Sequence, residues 1–247
     1  AFFYYPYIVM QIPVGLLVDR HGPRRWLVVA AIISSLGSYV FSIATSLWMA
    51  ECARMLIGFG ASFAFVCALK LATVWFDHAR MGLLAGLTQG AGMLGAALGE
   101  GLFVMIVAWL GWRGTMSFVA TVLASFVVWV LLIVRDAPPS SRSSTTTVAA
   151  TSSAPTLPIW QSLWQVLRLP ASWFNALFCG FLYAPTAALG EFWGVTFFHH
   201  AYHLSETMAG VMMSAIFVGW AIGGPLAGLL SDRLHNRKRI MMASVIM

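Results

Sequence analysis

Gly15-Leu16-Leu17-Val18-Asp19-Arg20 stands near the start of the sequence and Gly228-Leu229-Leu230-Ser231-Asp232-Arg233 near its end, with five of the six positions identical. The basic pair Arg24-Arg25 recurs at the same offset as Arg237-Lys238. Each copy closes an apolar run with a cluster of charge. A repeat in one orientation, at the ends of two membrane spans, predicts two homologous halves related by an axis along the membrane normal.

The composition supports the membrane premise. Of 247 residues, 60% are apolar and 9% charged, and the mean hydropathy is +0.84. A soluble domain is about 45–50% apolar and about a quarter charged. Too few polar side chains remain to cover a water-facing globule. This excludes a soluble enzyme, a disordered chain and a nucleic-acid binder. Cys52, Cys67 and Cys179 lie in apolar runs without metal or redox spacing, and read as small packing residues.

A bilayer core of about 30 Å needs about 20 apolar residues as a helix. Seven such runs lie near 1–18, 26–47, 51–70, 81–110, 114–134, 172–198 and 207–230, and an eighth starts near 240. No run alternates with period two, so an all-α polytopic membrane fold is predicted. With these spans, twelve of the fourteen cations fall on one side, Arg113 falls on the other, and Arg54 lies within a span. The positive-inside rule makes the basic side cytoplasmic, and the expected location is the plasma membrane, the inner membrane of a bacterium.

Residues 136–158 shift to Asp, Pro and a Ser/Thr-rich tract, which reads as a flexible cytoplasmic linker. It divides the chain into an N-terminal bundle, 1–135, and a C-terminal bundle, 159–247. Ile159, Trp160, Leu163, Trp164 and Leu167 share one helical face. They read either as a short interfacial helix or as an early start of the next span, with Pro170 favouring a break.

Gly15-x-Leu17-Val18-Asp19-Arg20-x-Gly22-Pro23-Arg24-Arg25 resembles the loop signature of the major facilitator superfamily of transporters. The second copy resembles the matching loop of that family's other half and departs from it at His235. Arg54-x-x-x-Gly58-x-Gly60 resembles the family's fourth-helix motif, and Gly111-Trp112-Arg113 also suits it. The resemblance implies a fold of two pseudo-symmetric six-helix bundles. It aligns this chain with helices two to eight and the start of nine, leaving helix one and helices ten to twelve outside it. It also implies a cytoplasmic gate latch built from Gly15, Asp19, Arg20, Gly22, Arg24 and Arg25. Gly228, Asp232, Arg233, Arg237 and Lys238 would form its weaker twin. An acid near a helix C-terminus opposes the macrodipole and needs a cation. Arg20, Arg24 and Arg25 are the nearest candidates for Asp19.

Arg54, Glu100 and Glu191 are the ionisable residues inside spans, and such residues default to functional hypotheses. At 1.5 Å per residue all three lie within about 15 Å of the outer face. Arg54 and Glu100 belong to a helical hairpin. They read either as a static ion pair or as a proton site. Glu191 has no evident cationic partner and has the better claim to a coupling or substrate role. Pro185 interrupts its span, and a discontinuous helix beside an acid and aromatics points to a binding site. Tyr5, Gln89, Tyr183 and Trp193 are the candidate cavity residues. Tyr4, Tyr5 and Tyr7 read either as an aromatic belt or as cavity-lining tyrosines.

Glycines of span 81–110, including Gly82, Gly86, Gly90, Gly95 and Gly99, recur about four apart and predict close helix packing. The Gly-Pro dipeptide that the family's antiporters carry in this helix is missing. His199, His200 and His203 form a mouth that charges below neutral pH. No metal site and no cofactor are expected.

The expected function is proton-coupled secondary transport of a small polar solute by alternating access, in a protein that is a monomer when complete. Its partners would be the substrate, protons and the lipid bilayer. An organic-phosphate or organic-anion exchanger is the alternative, as is a transporter-like membrane sensor. An intramembrane enzyme is not supported, because the spans lack a Ser/His/Asp pattern, paired Asp and His-Glu-x-x-His.

Overall fold

The computed structural model describes residues 2–136, 164–165, 167–234 and 242. Every regular element among them is helical. The linker 136–158, apart from Asp136, lies outside the described residues. So do most of the interfacial stretch, the start of an eighth span, and His235, Arg237 and Lys238.

Helix α1 spans Tyr4–His21. Gly22 then turns the chain at φ 83°, ψ 151°, and Pro23 opens α2, Pro23–Ser42. Proline suits this first helical position, where no backbone N–H is needed. Ser46 caps α3, Leu47–Trp75, by accepting from the backbone N–H of Met49 at 3.3 Å. The runs read as starting at 26 and 51 therefore begin earlier. Charge and polarity mark where a helix meets the interface, whereas capping decides where it starts. Lys70 likewise does not end α3, which continues to Trp75.

A 3₁₀ turn, His78–Arg80, leads into α4, Met81–Ile133. Gly111 bends α4 with φ 67° and divides it into two arms, as expected for spans 81–110 and 114–134. After residue 164 come α5, Pro170–Pro185, a π-helical stretch, Thr186–Trp193, α6, Gly194–Tyr202, and α7, Glu206–Leu234. Leu169 is extended, so Pro170 does follow a break.

Among the described residues, five helical stretches are long and apolar enough to cross a bilayer: Pro23–Ser42, Leu47–Trp75, Met81–Gly99, Met105–Ile133 and Met208–Leu234. Helix α1 is diluted by Tyr4, Tyr5, Tyr7, Gln11 and two prolines. The run from Pro170 to Tyr202 is divided by its π-helical stretch. Both were expected as spans, and both carry polar groups to an internal cavity described below.

The first core joins α1, α2 and α3. Val14, Val18, Ala30, Phe63 and Cys67 are buried there, and Trp26 stacks on Phe63 with centroids 5.0 Å apart. The Trp26 indole donates to the Leu17 carbonyl at 2.9 Å, so its polar edge is satisfied as well. A second core of Met93, Phe217 and Ala221, joined by Tyr183 and Trp220, ties α4 to α7 and α5. Large apolar side chains also cover the outside; Leu132 is 76% exposed and Trp109 88%. A face of this kind suits lipid rather than water.

The most extensive helix contact runs between α4 and α7, on opposite sides of the linker sequence. Gly82, Gly86 and Gly90 of α4 meet Gly228, Gly224 and Ala221 of α7. A Cβ at Gly86 would lie 2.4 Å from the Gly224 carbonyl oxygen, closer than real side chains approach. Only glycine allows these backbones together. Farther along α4, Gly92, Gly95 and Gly99 have nothing within 4 Å of such a Cβ. The close packing expected along the whole glycine run is confined to its first three members.

Candidate functional site: a cavity and two charged helix ends

The cavity lies between α1, α3, α4, α7 and the π-helical stretch, and encloses about 770 Å³. Its wall includes Tyr4, Tyr7, Phe65, Thr88, Gln89, Tyr183, Glu191 and Phe217. Among the described lining residues Glu191 is the only acid, and there is no Lys, Arg or His.

Two tyrosines hold Glu191. The Tyr4 hydroxyl donates to Oε2 at 2.9 Å, and the Tyr183 hydroxyl donates to Oε1. Tyr4 comes from α1 and Tyr183 from α5, so the carboxylate links the two sides of the chain. Local sequence explains the placement. Pro185 has no N–H to give the helix ladder, and the chain beyond it takes i→i+5 bonding through Trp193. This wider turn presents Tyr183 and Glu191 to the same space. Gly190 lies against the Phe217 ring and Gly194 against Met213. Thr186 accepts from the Trp220 indole at 2.9 Å, which fixes the start of the π-helical stretch to α7. Single-turn π-helical insertions are rare and frequent at functional sites.

Of the candidate cavity residues, Gln89 and Tyr183 line this space. Tyr5 and Trp193 are not among its lining residues, and both are largely exposed. Helical spacing accounts for the first case. Tyr4 and Tyr7 are three apart and share a face, whereas Tyr5 points about 100° away from Tyr4. Tyr4 and Tyr7 line the cavity, as one of the two readings of the tyrosine cluster had it, and Phe217 joins them without having been singled out in the sequence.

Arg54 places its guanidinium 5.4 Å from the centroid of the Phe41 ring. The side chain of Glu100 lies outside the described residues, and with it the expected hairpin pair. His199 Nδ1 lies 2.7 Å from the Leu204 carbonyl oxygen. His203 takes the left-handed conformation that ends α6.

The other feature is at the basic ends of the helices. Asp232 accepts from the backbone N–H of Gly82 at 2.9 Å and of Leu83 at 2.8 Å. These groups open α4 and have no partner within their own helix. The carboxylate satisfies two of them and faces the positive end of the helix dipole.

Asp19, in the first copy, pairs instead with Lys70 of α3 at 2.6 Å. The expected partners, Arg20, Arg24 and Arg25, do not fill that role. Arg24 lies beyond the Gly22 turn and donates from Nη2 to the Leu131 carbonyl, 2.5 Å away at the end of α4. Asp136 accepts from the Arg24 backbone N–H at 2.8 Å, and its carboxyl group lies beside Gly22. A residue read as the first of a linker thus caps α2. A groove of about 680 Å³ runs between the two motif copies, with Gly15, Asp19, Lys70, Gly82 and Gly228 in its wall.

Two related charged loops, a helical fold and a central cavity now stand together, and the family comparison agrees with them. The Major Facilitator Superfamily model matches residues 1–247. The chain belongs to the major facilitator superfamily.

The chain matches several curated proteins at modest identity. The Probable sulfoacetate transporter SauU of Cupriavidus necator is 24% identical, over 95% of this chain and 55% of its own length. The Probable nitrate/nitrite transporter NarK2 of Mycobacterium tuberculosis is 28% identical, over 95% and 56%. The Membrane sensor protein UhpC of Salmonella typhimurium is 27% identical, over 96% and 55%. The chain thus spans about half the length of the curated relatives it matches. SauU and NarK2 are named as transporters and UhpC as a sensor, and the apolar helices mark a membrane protein.

Proposed function

We propose that this chain forms the core of a secondary transporter that moves a small polar solute by alternating access, with Glu191 as the proton-coupling group. The observation that carries the reading is the Tyr4–Glu191–Tyr183 network, which joins α1 to the π-helical stretch inside a cavity. Rigid-body rocking of two bundles, 1–135 and 159–247, changes what each bundle presents to the other. Tyr183 is eight residues from Glu191 on the same run and moves with it. Tyr4 belongs to the other bundle and parts from Glu191 when that side opens. The carboxylate then loses a donor and faces the exposed solution.

The charged ends supply the complementary gate. Asp232 on the start of α4 holds the basic ends together, and Asp19 of α1 meets Lys70 of α3 at the same end. Gly15, Arg20, Gly22, Arg24 and Arg25 belong to the same device, as do Gly228 and Arg233. The basic side faces the cytoplasm of a bacterial cell, by the positive-inside rule.

The test is vesicle transport by the whole protein with an imposed proton gradient and a labelled panel of small acids, amines and sugars. One or more solutes should accumulate, and Glu191→Gln should lose the gradient-driven part. Undiminished accumulation by that variant would remove the coupling role. A second reading, a membrane sensor, is favoured by the similarity to UhpC along nearly the whole chain. A sensor binds solute and gives no flux in the same vesicles.

A further inference from the structure

The chemistry of the cavity wall goes further than a small polar solute. Glu191 has two oxygens and about four acceptor positions. Tyr4 and Tyr183 occupy one on each oxygen. The remaining positions are acceptors with no donor from the described wall, which has no Lys, Arg or His. A bound anion would meet a carboxylate and no Lys, Arg or His among the described lining residues. A cation would meet a carboxylate and a ring of aromatic groups.

The rings strengthen the point. Tyr4, Tyr7, Tyr183, Phe65 and Phe217 line the same space as Glu191. Aromatic faces attract cations through the ring quadrupole, and aromatic cages are the usual recognition device for quaternary and methylated ammonium groups. Helices α1, α3, α5 and α7 each contribute at least one ring.

We infer that the cavity binds its solute through a cationic nitrogen, a protonated or quaternary amine, seated against Glu191 and the surrounding tyrosine rings. The inference rests on the transport-cavity reading and deepens it. It also separates this chain from relatives whose names specify sulfoacetate or nitrate. A proton and an ammonium group would then compete for one carboxylate, which links solute release to protonation.

Equilibrium binding to the purified whole protein, without any gradient, tests this with two matched pairs of probes. Choline is compared with its uncharged isostere 3,3-dimethyl-1-butanol, and benzylammonium with benzyl alcohol; sulfoacetate is the anionic probe. At least one cation is expected to bind about tenfold or more tightly than its neutral partner. Glu191→Gln should remove that preference, and Glu191→Asp, which keeps the charge, should retain it. Melting temperatures near wild type establish that both variants are folded. Equal binding of cations and neutral partners, no binding of either cation, binding of sulfoacetate alone, or an unchanged preference in Glu191→Gln overturns the inference. Vesicle flux separates the two readings. Gradient-driven sulfoacetate uptake that Glu191→Gln abolishes keeps the coupling role and overturns the amine site. Choline binding with no flux of any solute keeps the amine site and overturns transport.

Discussion

Asp232 holds the backbone N–H of Gly82 at 2.9 Å, across 150 residues of sequence. One motif copy thereby anchors the helix end that opens α4. The same carboxylate reaches Leu83 at 2.8 Å, so both of its oxygens are used.

Replacing Asp232 with Ala removes a cap that serves two N–H groups. Loss of an N-cap costs about 0.5–2 kcal/mol, and a charged, two-pronged cap belongs toward the upper end of that range. The melting temperature in detergent should fall. Asp232→Asn, which keeps an acceptor oxygen, should recover part of the loss. Equal stability of all three proteins would show that the contact carries no weight.

Gly86 and Gly95 lie on the same helix and should behave in opposite ways. A Cβ at Gly86 would collide with Gly224, so Gly86→Ala should part α4 from α7 and lower the melting temperature. A Cβ at Gly95 meets nothing within 4 Å. Gly95→Ala should be neutral, or stabilising by up to about 1 kcal/mol through helix propensity. Matching effects at the two sites would contradict the packing described above.

Gly22 adopts φ 83°, ψ 151°, a region reserved almost entirely for glycine. Gly22→Ala should cost about 1–3 kcal/mol. The added methyl would also lie 3.1 Å from the Asp136 carboxyl group that caps α2. Combining it with Asp136→Asn should cost less than the sum of the single changes, because both act on one turn. Strict additivity in thermal unfolding would separate the two.

The Asp19–Lys70 pair is half-exposed, with side chains 60% and 41% accessible. Exposed pairs contribute about 0–1 kcal/mol and are screened by salt. Lys70→Met should therefore change stability little, and less at high salt. A loss of several kcal/mol in the melting data would mean that the pair is more enclosed than its exposure indicates.

Much of the fold was legible because a bilayer restricts the options. A backbone in lipid must satisfy its own hydrogen bonds, so long apolar runs read as helices. The bend at Gly111 was implied by the Gly-Trp-Arg interruption between two runs. Helix ends were less legible, since Ser46 and Pro23 set them through capping rather than through hydropathy. In the site, Pro185 and Glu191 were visible as a break beside an acid. Which tyrosine meets that acid was not, because the choice among Tyr4, Tyr5 and Tyr7 depends on the rotation of α1.

The sequence by itself determined a helical membrane protein with a repeated charged loop, since composition, run length and repetition are properties of the chain alone. Tertiary structure decided the partners. Asp19 met Lys70 rather than its arginine neighbours, Asp232 met the start of α4, Asp136 capped α2, and Tyr4 met Glu191. Those pairings depend on which helix faces lie together, and close approach at Gly82, Gly86 and Gly90 fixes that for α4 and α7. Hydropathy measures a preference for lipid and carries no information about the rotation of one helix against another.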